Sequence, residues 1–368
     1  MPRRPRDPVA QACRLHDRAM TLREQGRPER AEPLCRQALG LLEGAAGPAH
    51  PDVANVLNTL GQILEDQGHY AGAEPLFRRA VRIMGRCRGG GDVARIRVQA
   101  LSRLAGLYRV QGRYRKAAPL FRRALALAEA TLGRDDLDVA AVLNDLAVLD
   151  KYTGRFTEAG RLYRRALAIL EKHLGPDHPE LATLYHNLGG LEHARGRPAR
   201  GEPFARRSVT LREQALGPDH PAVAADVAAL AALLDGQGKY EEAERLYRRA
   251  LAVFEQVYGP EHCEVAVNLN NLAALQYAQG NASEAECLYR RALAIKEKVL
   301  GPDHPDVAMT LHNLAVLYQS EGRYTEAVPL YERGQILFEK ALGKSHPKAV
   351  ACRKSYARLR RALGGECG

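Results

Sequence analysis

The sequence contains no tryptophan, and its seven cysteines are scattered with no C-x-x-C pair among them. A disulfide framework or a zinc site would need closer and more regular spacing. We therefore expect reduced thiols that pack as small apolar residues, and neither a metal nor another cofactor.

Long apolar runs are also missing. The basic start, MPRRPRDPVAQACRL, leads into no apolar core of signal-peptide length. The most apolar segment, residues 223–234, is short, carries Asp226 and cannot span a bilayer. These features predict a cytoplasmic protein without a membrane partner.

Enzyme motifs are absent as well: there is no Gly-rich phosphate loop after a strand, no nucleophile elbow and no H-E-x-x-H. An Asp-His pair does occur in LGPDHPDVA, residues 300–308, but complete or degraded copies recur along the chain. They begin at Gly47, Gly175, Gly217, Gly259, Gly301 and Gly343. Since an active site is built once, we interpret the motif as scaffold and expect no enzymatic activity.

The composition is that of a soluble globular protein, with 46% hydrophobic and 26% charged residues and a net charge of +11. The charge is unevenly distributed. Residues 1–200 hold 33 Lys and Arg against 22 Asp and Glu, whereas residues 201–350 hold 16 against 20. This asymmetry bears on the choice of partner more than on the fold.

A glycine followed by a polar and usually an aromatic residue recurs every 42 residues, with one step of 44. The eight glycines are Gly26, Gly68, Gly112, Gly154, Gly196, Gly238, Gly280 and Gly322. Such regularity over nearly the whole chain predicts one array of repeats.

Each repeat predicts two helices. The first carries a Leu followed by a small residue, usually with another apolar residue three positions after the Leu. We call this Leu the anchor Leu; its copies are Leu60, Leu104, Leu146, Leu188, Leu230, Leu272 and Leu314. The second carries an apolar stripe, as at Ala243, Leu246, Tyr247 and Ala250. The intervening glycine suits a left-handed C-cap, and such short pairs need neighbours to stack on.

The sequence leaves two points open, the cap at the start of the first helices and the prolines within the second helices. Gly301 ends one helix and Pro305 suits the start of the next, which either Asp303 or His304 can cap. A proline also falls about one turn into several second helices, beyond the first turn where proline is harmless. These helices either start later or tolerate a small bend. The prolines are Pro33, Pro75, Pro119, Pro203 and Pro329.

The pattern L-x2-L-x5-G-x-Y-x2-A-x3-Y-x2-A-L resembles tetratricopeptide repeats, and the 42-residue period resembles the variety in the kinesin light chain and nephrocystin-3. This implies an all-α helix-turn-helix solenoid, a right-handed superhelix. We expect eight helix pairs over residues 10–346, a possible hinge at 85–92 and a capping helix at 347–363. Tails remain at 1–9, which is basic, and at 364–368.

The resemblance also implies a function: an adaptor or scaffold whose first helices line a concave groove that holds an extended peptide. Asparagines at the two positions before the anchor Leu would grip the peptide backbone. The matching residues are Asn58, Asn144, Asn187, Asn270, Asn271 and Asn313, with His186 and His312 at equivalent positions. Ser102-Arg103 and Ala228-Ala229 depart from the pattern.

The resemblance also implies that positions about five residues after the anchor Leu face the groove, and these hold Arg109 and Lys151. With Arg103 they predict a basic patch beside Asn144 and Asn187, and therefore an acidic protein or peptide partner. Three carboxylates reduce the positive potential of this patch: Glu65, Asp66 and Asp145.

Arginine pairs recur on the second helices and offer an alternative, a scaffold that self-associates or binds nucleic acid through its outer face. A glutamate four residues before the first arginine in several repeats favours a solvated helix instead. The pairs begin at Arg78, Arg122, Arg164, Arg206, Arg248 and Arg290.

Two segments depart from the repeat consensus. The linker at 85–92 contains three consecutive glycines, whose ordering is entropically costly. Residues 198–209 carry Pro198, Gly201 and Ser208 where other repeats have aromatic or alanine residues. We expect the array to open first at 85–92 and next around 198–209.

Overall fold

The computed structural model describes residues 7–25, 27–87, 89–344 and 346–365. Of the two predicted tails, residues 1–6 and 366–368 therefore lie outside the described residues, as does Arg88 in the predicted hinge.

Within the described residues the chain forms seventeen α-helices and no strand, which confirms the all-α class. They are α1 Pro8–Glu24, α2 Pro28–Ala46, α3 Pro51–Asp66, α4 Tyr70–Arg86, α5 Asp92–Val110, α6 Tyr114–Thr131, α7 Leu137–Tyr152, α8 Phe156–Leu174, α9 Leu181–Ala194, α10 Pro198–Leu216, α11 Pro221–Asp235, α12 Tyr240–Tyr258, α13 Cys263–Ala278, α14 Ala282–Leu300, α15 Pro305–Ser320, α16 Tyr324–Leu342 and α17 Pro347–Gly365. Helices α1–α16 form eight successive pairs, and α17 follows them.

The chain divides into two compact units, Met1–Leu146 and Ala147–Gly368. Their cores are made from the apolar stripes of neighbouring helices. Fully buried rings from the second helices fill these cores, for example Phe77 in the first unit and Tyr247 in the second.

The small residue after the anchor Leu has the steric role that its position predicts. A Cβ at Gly61 would lie 2.5 Å from the Phe77 ring, so α3 and α4 approach each other only because Gly61 has no side chain. In the same way, a Cβ at Gly201 would lie 2.9 Å from the carbonyl oxygen of Gly189. Gly201, which looks like a defect in the sequence, therefore permits close packing of α9 and α10.

The structure decides between the two candidate helix caps in the linker. Nδ1 of His304 accepts a hydrogen bond of 3.1 Å from the backbone N–H of Asp306, and His50, His220 and His262 cap their helices in the same way. Asp303 instead bonds the Lys340 ammonium at 2.9 Å. The Asp-His motif is thus a capping device, because its histidine satisfies a backbone donor at the helix start.

The predicted hinge lacks this device. Helix α4 ends at Arg86, α5 begins at Asp92, and the N-cap Gly91 has φ +57°. In the described part of this linker, no side chain caps α5. Early opening at 85–92 stays a prediction.

The prolines of the second helices lie inside those helices. Pro329, for example, is the sixth residue of α16, which starts at Tyr324. Its missing N–H cannot bond to the carbonyl four residues earlier, so each such helix tolerates a gap in its hydrogen-bond ladder. Of the two possibilities left open by the sequence, late helix starts are ruled out.

In five repeats, an arginine at the second position of the recurring arginine-pair site fastens a helix to the preceding linker. Nη2 of Arg249 bonds Glu213 at 2.8 Å and the carbonyl oxygen of Pro218 at 3.1 Å. The same bond to a proline carbonyl 31 residues earlier recurs in four other repeats. The donors are Arg79, Arg207, Arg291 and Arg333.

The six described cysteines are free, as predicted. Cys35 and Cys352 pack in the core as small apolar residues, but Cys13 and Cys287 are exposed, so for these two the packing prediction is wrong. Over the described part of the chain, no helix combines the length and the apolar character that crossing a bilayer requires.

Candidate functional site

The predicted groove residues fall on the first helices of their pairs. One position, two residues before the anchor Leu, holds several residue types along the array, and we call it the groove column. Its members are Asn58, Ser102, Asn144, His186, Ala228, Asn270 and His312.

In the first unit, Arg103 and Arg109 line a pocket of about 310 Å³ together with Glu65, Asp66 and Asp145. Asp66 accepts a 2.6 Å bond from Arg23 of α1, a residue that the sequence analysis did not place here. The predicted basic patch is therefore closely accompanied by carboxylates.

Burial changes the charges in this pocket. It raises the pKa of Glu65 to about 7, although Arg103 opposes the shift. It also raises the pKa of Asp145 and lowers the pKa of Arg103. A raised carboxyl pKa means that part of the negative charge is lost near neutral pH, which leaves the guanidinium groups less fully balanced.

Two column residues of the first unit hold buried polar atoms without a partner. Asn58 is 4% exposed, and neither end of its amide bonds any group in the described chain. The Ser102 hydroxyl likewise has no partner among the described residues. Asn144 differs, because its side chain bonds Asp145. Both amide atoms of Asn58 are sealed from solvent, so an unpaired amide at this place costs stability, and a peptide-binding role for Asn58 stays a prediction.

In the second unit, four of the predicted site residues line one cavity of about 560 Å³. They are Lys151, Asn270, Asn271 and Asn313. The wall also includes residues that the sequence analysis did not select: Tyr152, His193, Asp235, Tyr247, His346 and Lys348.

The linker before α17 closes one side of this cavity. Nε2 of His346 donates a 2.9 Å bond to the carbonyl oxygen of Tyr152, 194 residues earlier, while its Nδ1 accepts from the Lys348 backbone N–H at 3.1 Å. This pair of bonds requires the neutral ring protonated on Nε2. A Cβ at Gly154 would lie 3.3 Å from Pro347 Cδ, so linker and turn are in close contact.

Lysines outnumber carboxylates in the wall of this cavity. Lys151 and Lys348 both line it. Desolvation by the surrounding protein lowers the pKa of Lys348, although the residue is exposed at the surface, and desolvation together with Lys151 lowers the pKa of His193. Burial also raises the pKa of Asp235, which weakens the one acidic residue in the wall. An anionic ligand would offset the cost of holding two ammonium groups there.

The remaining predicted residues lie outside that wall. His186 bonds the fully buried Asp226 at 2.7 Å, and Asn187 is 9% exposed. The His312 ring meets Tyr331 edge-on at 5.7 Å. Its Nδ1 has no hydrogen-bond partner in the described residues.

The sequence contains a signal for Asp226, a residue that we did not predict to lie at the site. Asp226 is the single charge in the most apolar segment, and such a residue is retained in a core only when it is paired. His346 and Lys348 had no such signal, because their approach to Tyr152 depends on how the intervening repeats curve.

The described residues offer little support for a metal site or for an interface on the arginine-rich outer face. Among the described residues, no group of three or more His, Cys, Asp or Glu side chains could hold a metal ion. On the outer face, Arg248 pairs with Glu244 and Glu284, and Arg290 with Glu286. These arginines therefore already serve the packing of adjacent repeats.

A family model described as tetratricopeptide repeat matches the chain over residues 11–85 and then, in overlapping stretches, over 97–366. Similar solved structures include BtubC (BKLC) from P. vanneervenii, at 26% identity over 65% of this chain and 93% of that one, with a TM-score of 0.45. A Podosopora anserina kinesin light chain with nearly identical TPR-like repeats matches at 23% identity over 56% and 97%, also with a TM-score of 0.45.

A Rap protein complexed with competence and sporulation factor gives a higher TM-score of 0.60, at 16% identity over 84% of this chain and 88% of that one. At this level of identity the likeness establishes the fold alone.

Proposed function

The chain belongs to the tetratricopeptide repeat family, as its period predicts, and on that premise we propose that it is a non-enzymatic adaptor or scaffold which binds an extended, acidic peptide segment of a partner protein. The proposal includes a cytoplasmic location and no cofactor. Interaction with other proteins is the general role of such repeats, whereas the groove and the acidity are specific to the proposal.

The cavity of the second unit is the observation that carries it. Asn270, Asn271 and Asn313 offer carboxamides, which both donate and accept and therefore match a peptide backbone. Lys151 and Lys348 lie in the same wall and can meet carboxylates. In the first unit, Arg103 and Arg109 provide a second place for an acidic side chain.

Fluorescence anisotropy with two labelled octapeptides tests the proposal, one alternating Glu with Ala and one alternating Lys with Ala. The variants are Lys151→Glu and Arg103→Glu, with Arg248→Glu on the outer face as the matched control. We expect the acidic peptide to bind, and one or both groove reversals to weaken it at least tenfold, since hydrogen bonds to charged groups contribute about 1.5–3 kcal/mol. Raising the salt concentration should weaken it further.

Equal binding of the basic peptide, or a loss caused only by Arg248→Glu, would reject the groove. The second of these results would favour the outer face instead.

A further inference from the structure

Two second helices carry a cation where the other second helices carry an apolar residue. Lys296 of α14 is 4% exposed, and Arg212 of α10 lies two 42-residue periods before it. The same register holds Phe254 and Phe338, both 1% exposed. A buried cation at an apolar position needs a partner, and each of these cations has one on the next first helix.

The contacts of Lys296 lead to the cavity. Its Nζ donates to Thr310 Oγ1 at 2.9 Å, and Thr310 Oγ1 donates to Asn270 Oδ1 at 3.0 Å. Because an ammonium group can only donate, the hydroxyl accepts from it and must direct its own proton to Asn270. Asn313 Nδ2 also approaches that Oδ1, at 3.4 Å. The carbonyl end of Asn270 is thus occupied, and its NH₂ end is left for the cavity.

The contacts of Arg212 repeat this arrangement. Its Nε lies 3.2 Å from Asp226 Oδ2, and Asp226 Oδ1 lies 2.7 Å from His186 Nδ1. A carboxylate can only accept, so His186 carries a proton on Nδ1. Asp226 occupies the register of Thr310, and His186 that of Asn270. In both repeats, a cation of the second helix contacts the residue that hydrogen-bonds the column residue on the preceding first helix.

In the repeats that carry a phenylalanine in this register, no cation sets the orientation of the column residue. Beside Phe254, the column residue is Ala228, which has no polar end. Beside Phe338, the column residue is His312, whose Nδ1 bonds no described residue. Met84 and Leu170 fill the same register in the repeats of Asn58 and Asn144, so the cation is particular to two repeats.

We propose that Lys296 is a positioning residue that acts through Thr310 to hold the NH₂ of Asn270 toward the cavity, so that this site selects carbonyl or carboxylate oxygens of a bound peptide. The inference rests on the proposed function and adds the direction of the hydrogen bonds to it. Without the Thr310 hydroxyl, the carboxamide can turn over and present its oxygen, which would repel the same ligand atoms.

The orientation is testable without any ligand. The chain has nine asparagines, so selective ¹⁵N-asparagine labelling gives nine side-chain NH₂ signals, and Asn270→Asp identifies the relevant one. We expect Thr310→Val and Lys296→Phe to shift the Asn270 signal, and Thr310→Ser to restore it. Lys296→Phe copies Phe254 and Phe338, so the fold can hold it. An unchanged Asn270 signal in both variants would overturn the proposal.

Binding of the acidic octapeptide tests the consequence. Thr310→Val and Lys296→Phe should weaken it about five- to tenfold, Thr310→Ser should bind like the wild type, and the exposed Thr210→Val serves as the matched control. A shifted Asn270 signal with unchanged affinity would refute the role in selection. If the wild type binds no peptide, the proposed function fails by itself, while the NMR signal still decides whether Lys296 orients Asn270.

Discussion

The carboxyl group of Glu65 should destabilise the first unit at alkaline pH. Burial raises its pKa from 4.5 to about 7. Between these values the unfolded chain loses the proton while the folded chain keeps it, so the free energy of unfolding falls as the pH rises. Replacing Glu65 with Gln keeps the size of the side chain and removes the titration.

The size of the effect follows from the shift. One pKa unit corresponds to about 1.4 kcal/mol, so the full shift would correspond to about 3 kcal/mol above pH 7. Water reaches the groove, and therefore about 1–3 kcal/mol is the expected range. Below pH 4.5 the carboxyl group is protonated in both states and contributes no difference.

Urea unfolding of the wild type and of Glu65→Gln at pH 5 and pH 8 measures this effect, because other titrating groups cancel in the difference. Glu65→Gln should gain stability relative to the wild type on going from pH 5 to pH 8. The exposed Glu29→Gln is the control for replacing a carboxylate. A difference that is the same at both pH values would refute the buried, proton-retaining carboxyl group.

Four further predictions concern the scaffold. Gly201→Ala should cost about 1–3 kcal/mol in urea unfolding because its Cβ would meet the Gly189 carbonyl, whereas Gly40→Ala, with open space around it, should gain about 0.5–1 kcal/mol. Arg249→Met should lower the melting temperature more than Arg248→Met, since only Arg249 holds a linker carbonyl; equal effects would contradict the fastening role. His304→Gln should cost at most about 1 kcal/mol of stability and leave peptide affinity unchanged, and a loss of affinity at constant melting temperature would contradict the capping role. Hydrogen exchange should be faster at 85–92 than at 240–300, and uniform protection would remove the predicted hinge.

Much of the fold could be predicted because each local feature recurs in several repeats, so that the copies support the same prediction. The left-handed glycines, such as Gly238 with φ +77°, and the histidine caps recur at fixed spacing. The exception is Pro329, whose position inside α16 depends on packing that outweighs the lost hydrogen bond. Single-sequence propensity carries no measure of that packing.

Less of the candidate site could be predicted. The column positions followed from the period, but Lys296 lies in an apolar stripe and meets Asn270 only through Thr310 on a third helix. Contacts of this kind join residues 14 and 40 positions apart, and no short motif records them. The link from His346 to Tyr152 spans most of the second unit.

Each repeat contains positions that hold the array together and positions, such as the groove column, whose residue changes from copy to copy. Residues that build the array hardly vary between copies, as in the arginine that reaches a proline carbonyl 31 residues earlier. The groove column instead runs through Asn, Ser, His and Ala, although every copy occupies the same place in its helix pair. Since stacking needs identical repeats and ligand recognition needs distinct ones, specificity must be encoded where the copies differ. Substitutions in the groove column should therefore change which ligand binds, whereas substitutions at Arg249 should lower stability and leave the choice of ligand unchanged.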